Sequence, residues 1–286
     1  MTNFKNTDKT NTSDSREKRA LIPNLFTLLN LIFGCLAIVF ILQTGENIVQ
    51  LDDSGASQVF LPEKIGLGAL FIFGAAIIDF LDGFLARLMG ASSQMGKQLD
   101  SLCDVVSFGV APSMILYQLL RISFAQEEGG LDVSSWLLFP AFLFAAAACW
   151  RLAKYNISTD QTESFRGVPS PAAALVVASL PLIIFYPSFG IQVLLINKWI
   201  LYVVILVLSF LMVGNSSFMA MKFTDFSIKN NYLKYALVVL SIISILFLKW
   251  LAVPVIFILY LIVSALSKGA ERAPIANDKE LTDLTV

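Results

Sequence analysis

Polar and apolar positions segregate along this chain into long blocks. Apolar runs of about twenty residues recur from Leu21 onward, the length a helix needs to cross a hydrocarbon layer about 30 Å thick. This pattern predicts an all-α fold, a polytopic membrane helix bundle of about eight transmembrane helices. The spans fall roughly at Leu21–Leu42, Ile65–Leu88, Leu99–Leu120 and Trp136–Tyr155, with a fifth entered through Phe165–Ala174. Three more follow at roughly Ile191–Val213, Tyr232–Phe247 and Trp250–Leu266, the last two turning at Lys249. Pro112 inside the third span predicts a kink. Residues 1–20 are mixed in charge and rich in Asn, Thr and Lys, which predicts a disordered tail. No short apolar core with a small-residue cleavage site follows, so no cleaved signal peptide is expected. A second polar tail occupies 267–286. Residues 43–63 and 121–135 read as acidic loops.

Composition agrees with a membrane protein. Of 286 residues, 57% are hydrophobic, against about 45–50% in an ordinary soluble domain. Net charge is −1, which gives no reason to expect a nucleic-acid partner. Histidine is absent, which excludes His general bases, His-ligated zinc and Ser-His-Asp triads together. Cys35, Cys103 and Cys149 each lie in an apolar run and read as small packing residues. Lys and Arg set the orientation. With a cytoplasmic N-terminus and eight spans, only Lys64, Arg121, Lys198 and Lys249 face outward, and the remaining sixteen of twenty face the cytoplasm. Both acidic loops then lie outside, and both tails lie inside.

The chemistry is concentrated between spans two and three. Asp79, Asp82, Gly83 and Ala86 share one helical stripe, and Asp100 and Asp104 share another, at spacings of three and four residues. Between them Gly90–Gly96 reads as a turn, so the two helices form a hairpin that gathers four carboxylates near the cytoplasmic surface. An Asp at the bilayer centre costs about 2.5–3.5 kcal/mol to insert, and four together repel. A divalent cation offsets both penalties, and carboxylate ligation suits hard ions such as Mg²⁺, Mn²⁺ or Ca²⁺. The plainer alternative is a set of solvated charges at helix ends.

The run Asp79-x-x-Asp82-Gly83-x-x-Ala86-Arg87-x8-Gly96-x3-Asp100-x3-Asp104 resembles the complete signature of the CDP-alcohol phosphatidyltransferase family. Eight residues at fixed gaps make the match specific. The resemblance implies an integral membrane enzyme that moves a phosphatidyl group from a CDP-lipid to an alcohol and releases CMP. It implies two divalent cations, Mn²⁺ or Mg²⁺, on Asp79, Asp82, Asp100 and Asp104, with Asp104 as general base. It also implies that residues 21–190 form the catalytic core, that 191–266 add helices to the same membrane domain, and that the protein is a homodimer. The first span opens Ile22-Pro23-Asn24-Leu25-Phe26-Thr27, similar to the family's first-helix motif, which implies that Asn24 and Thr27 lie near the nucleotide. Gly83, Ala86 and Gly96 read either as helix-packing positions or as room for the nucleotide, and the family match favours the nucleotide. Arg87 reads as a phosphate partner or as a positive-inside anchor.

Ser107–Pro112, Arg151–Asn156 and Gly167–Ala174 resemble the phosphatidylserine synthase branch of the family. That likeness implies CDP-diacylglycerol and L-serine as substrates. Either Arg151, Lys154 or Arg166 binds the serine carboxylate and Asn156 bonds either polar group, or the basic residues are orientation anchors and Asn156 is a cap. Lys154-Tyr155 stands where the branch commonly has Arg-Phe. The stretch after the sixth span lacks an expected basic residue, although Lys222 lies nearby. Other readings are a family member using glycerol phosphate, inositol or choline, a cation transporter, since intramembrane Asp residues often mark ion pathways, and a membrane scaffold.

Overall fold

The computed structural model describes residues 7–43, 49–51, 57–59, 63–90, 93–127, 132–157, 165–186, 190–214, 217–218 and 228–271. The fold is helical, with two short antiparallel strand pairs. The chain divides into two compact units, Met1–Gln161 with Gly167–Ser216, and Thr162–Arg166 with Ser217–Val286.

In the first unit, helix α1 runs Thr7–Leu42. Residues 7–20, expected as a disordered tail, are helical in backbone and continue into the first span. No Gly or Pro interrupts the stretch before Pro23, so nothing local stops the helix. Residues 43–63, expected as a plain loop, contain a strand pair, β1 (Val49–Leu51) with β2 (Ser57–Val59); Glu46, Asp52 and Asp53 lie outside the described residues. Helix α2 (Glu63–Leu88) packs most extensively on α1. Helix α3 (Gln94–Asp104) starts earlier than the expected turn allows. Ser93 caps it, its hydroxyl accepting from the Gly96 amide at 2.9 Å.

The expected kink takes the form of a π-helical stretch, Val105–Val110, between α3 and α4 (Ala111–Ala125). Pro112 has no N–H to offer the carbonyl four residues back, so the ladder shifts by one, and the Ala111 amide donates to Val106. Together these segments form a continuous apolar stretch of 32 residues, Gln94–Ala125, the most buried of the candidate spans. The π segment touches α1, α2, α5 and α6. Gly34 makes the α1 approach possible, because a Cβ there would stand 2.9 Å from the Ser107 Cα.

Helix α5 (Phe142–Ile157) is entered through two 3₁₀ turns. After it come α6 (Ser170–Phe185), the single turn α7 (Gln192–Leu195) and α8 (Lys198–Val213). The sixth span, expected unbroken from Ile191, is divided by Asn197, whose side chain caps α8 by accepting from the Trp199 amide at 2.9 Å. At this end Lys198 pairs with Glu127 at 2.7 Å, and the Tyr202 hydroxyl donates to Leu137 at 2.6 Å.

The second unit holds strands β3 (Phe165–Arg166) and β4 (Ser217–Phe218) and helices α9 (Ile228–Leu248) and α10 (Ala252–Glu271). Asn231–Leu266 is apolar over 36 residues, about 54 Å as one rod. Lys249, at φ 51°, breaks it, and α9 and α10 pack on each other. The tail expected from Ser267 is helical through Glu271.

Among the described residues, five stretches are long and apolar enough to cross a membrane, and α6 and α8 are shorter apolar helices. The protein therefore has the make-up of a polytopic membrane protein.

Candidate active site

Helix α1 lies against both α2 and α3. Their polar stripes face one another. Asp79, Asp82 and Asp100 each present a carboxylate oxygen, and these oxygens all lie within 4.8 Å of one another. Two oxygens on opposite sides of one divalent ion, each at about 2.1–2.5 Å, stand about 4–5 Å apart. The spacing and the all-oxygen donor set therefore fit a hard divalent cation. Asp82 is 5% exposed, and its Oδ2 has no hydrogen-bond partner among the described residues. A buried carboxylate oxygen left unpaired is costly unless something positive meets it.

Asp104 stands outside that group of three but next to it. It is 7% exposed and lies within electrostatic reach of Asp79. The Asn30 Nδ2 donates to Asp104 Oδ1 at 3.2 Å. Asn30 is fully buried, and its own carbonyl accepts from the Ser107 hydroxyl at 3.0 Å. Sequence reasoning passed over Asn30. The signal was present, since Asn24, Thr27 and Asn30 repeat every three residues and so share a face.

The other first-helix residues also meet the site. The Thr27 hydroxyl donates to the Pro23 carbonyl at 3.1 Å and lies against Asp82. Asn24 abuts Gly96 so closely that a Cβ on Gly96 would sit 2.9 Å from Asn24 Oδ1. Around Gly83, in contrast, no described atom lies within 4 Å of where a Cβ would be, so the helix is open there. Ala86 is half-buried on the same stripe. Arg87 is exposed and folds back along its own helix, its Nε donating to the Gly83 carbonyl at 2.9 Å.

The sequence that supplies these contacts matches a known family of proteins. The family description "CDP-alcohol phosphatidyltransferase" fits residues 20–211, about two thirds of the chain and all of the residues just described. The chain belongs to that family. A Helicobacter pylori protein named CDP-diacylglycerol–serine O-phosphatidyltransferase is 35% identical over 159 residues, covering 55% of each chain. Proteins of the same name from Bacillus subtilis and Methanocaldococcus jannaschii are 30% identical over 182 residues and 32% identical over 163. The matches cover 62% and 57% of this chain, and 87% and 61% of those proteins. The chain thus spans only about half the length of the Helicobacter relative.

In this family member, two residues of α5 come close to the carboxylates. Arg151 lies within electrostatic reach of Asp104, and its Nη1 donates to the buried Ser170 hydroxyl at 3.1 Å. Its Nε is buried with no hydrogen-bond partner among the described residues. The Asn156 Nδ2 donates to the Ser101 hydroxyl at 2.8 Å, on the turn between Asp100 and Asp104, while its Oδ1 is buried and unpaired among the described residues. Lys154 is exposed. Arg166 belongs to β3 in the second unit, and its side chain lies outside the described residues. The structure thus gathers Asn24, Thr27, Asp79, Asp82, Gly96, Asp100 and Asp104, adds Asn30, and brings Arg151 and Asn156 to the edge.

Proposed function

We propose that the protein is a phosphatidylserine synthase, transferring the phosphatidyl group of CDP-diacylglycerol to L-serine with release of CMP. Supporting this most directly is the convergence of Asp79, Asp82 and Asp100 beside Asp104, in a chain whose matched relatives carry the serine transferase name. Asp79, Asp82, Asp100 and Asp104 would hold two divalent cations, Mn²⁺ or Mg²⁺. Bound there, the ions neutralise the pyrophosphate and stabilise the departing CMP.

The chain's own residues do the rest. Asp104 accepts the proton of the serine hydroxyl as that oxygen attacks the phosphatidyl phosphorus. A new P–O bond forms, the bond from that phosphorus to the CMP oxygen breaks, and CMP leaves with the electron pair. Asn24, Thr27, Ala86, Gly96 and the open face at Gly83 receive the CDP portion, and Arg87 swings to a phosphate. The unpaired Arg151 Nε meets the serine carboxylate, and Asn156 Oδ1 accepts from its ammonium. Lys154 and Arg166 are the remaining candidates for the carboxylate. The site and both termini face the cytoplasm, where serine is available, and the protein works as a homodimer with a complete site in each protomer.

The test is CMP release by purified protein from CDP-diacylglycerol, with L-serine, glycerol 3-phosphate, inositol or choline as acceptor. Release should require serine, stop on addition of EDTA, and return with excess Mn²⁺ or Mg²⁺. Serine-independent release, or equal rates with another acceptor, would overturn the serine assignment, and EDTA resistance would overturn the metal.

A further inference from the structure

We infer that Asn30 is the positioning residue for Asp104, holding one carboxylate oxygen so that the other faces the acceptor hydroxyl. The inference deepens the reading of Asp104 as the base and rests on it. An aspartate at the head of a π-helical stretch has two free torsions and three acidic neighbours that push it away. Asn30 supplies a constraint from a different helix. Its Nδ2 donates to Asp104 Oδ1 at 3.2 Å, and burial removes water as a competing donor.

Asn30 is itself fixed. Its backbone carbonyl accepts from Ser107 Oγ at 3.0 Å, and Ser107 lies three residues beyond Asp104 on the same stretch. The two bonds therefore tie α1 to both Asp104 and the turn that follows it. Gly34, one turn further along α1, permits the approach, since a Cβ there would meet Ser107. A single donor on one carboxylate oxygen leaves the second oxygen to take the proton. The division of labour is the one in which an orienting group fixes a base that does the proton transfer. An amide suits the role better than a charged donor, because it orients the carboxylate without neutralising it.

The experiment compares Asn30→Leu, close in volume but without a donor, with the unmodified protein in the serine-dependent CMP-release assay. A correctly placed base contributes about 10²- to 10⁴-fold, so kcat should fall by on the order of 10²-fold. KM for CDP-diacylglycerol and KM for serine should stay within about threefold. A structural role would instead move KM together with the melting temperature. If Asn30→Leu is not recovered folded, Asn30→Thr carries the test with the same expectation, since its hydroxyl sits one bond short of the amide. A kcat within threefold of the unmodified protein, or a loss carried by KM, overturns the inference. Asp104→Asn separates the two claims: an active Asp104→Asn sinks the base, whereas an inactive Asp104→Asn beside an active Asn30 variant sinks only the positioning role.

Discussion

Gly83 and Gly96 occupy the same sequence signature yet face opposite surroundings. A Cβ at Gly96 would lie 2.9 Å from Asn24 Oδ1 and 3.1 Å from Ser93 Oγ, so Gly96→Ala must displace Asn24 or the cap of α3. Overpacking of this kind costs about 1–3 kcal/mol. Gly83→Ala meets nothing described within 4 Å and gains helix propensity of about 1 kcal/mol. The expected outcome is a melting temperature lowered by a few degrees in Gly96→Ala, about 2–4 °C per kcal/mol, and unchanged or raised in Gly83→Ala. Both should raise KM for the CDP-lipid. The Gly83 variant separates the two uses of a small residue: if its KM is unchanged, the open face does not receive the nucleotide. Spacing alone could not make this distinction, because both glycines read equally as packing positions.

At the scale of one element, the third span decides how the site is aimed. Its sequence announced a Pro-induced kink but not its form. The missing Pro112 N–H is absorbed as a π-helical turn, Val105–Val110, directly after Asp104. Pro112→Ala supplies an N–H that can pair with the Phe108 carbonyl and favours ordinary α geometry. Removing the extra residue from the turn would rotate Asp104 and Asp100 by about 100° relative to α4. That would break the Asn30 bond and disperse the carboxylates. The expected result is kcat reduced by at least about tenfold with a melting temperature equal to or above that of the unmodified protein, since proline in a helix interior costs about 3 kcal/mol. Unchanged kcat in Pro112→Ala would show that the π turn has no part in aiming Asp104.

For the whole molecule, the Gln94–Ala125 stretch provides a ruler. From Asp104 to Ala125, two residues short of Glu127, the helix rises about 32 Å, close to the hydrocarbon thickness of about 30 Å. The carboxylates therefore stand near one face of the bilayer, and the Lys198–Glu127 pair and Tyr202 near the other. The proposed cytoplasmic placement of the site, argued from the Lys and Arg distribution, can be measured. Met95 is 72% exposed beside the site, and Trp136 is 78% exposed at the other end. With Cys35, Cys103 and Cys149 replaced by alanine, Trp136→Cys should react with a membrane-impermeant maleimide on intact cells. Met95→Cys should react only in inside-out vesicles. The reverse pattern would place the site outside and defeat the cytoplasmic assignment.

Sequence alone determined that the chain is a set of apolar helices and that four aspartates fall on two helical stripes. Both follow from local periodicity and from the cost of burying charge, and neither needs to know which helices touch. Only tertiary structure decided that Asp104 stands beside the three-carboxylate group, that α1 delivers Asn30 to it, and that Gly96 yields to Asn24 while Gly83 stays open. These depend on contacts between residues up to 74 apart along the chain. No local pattern encodes such contacts, because they are set by how three helices pack around a π turn.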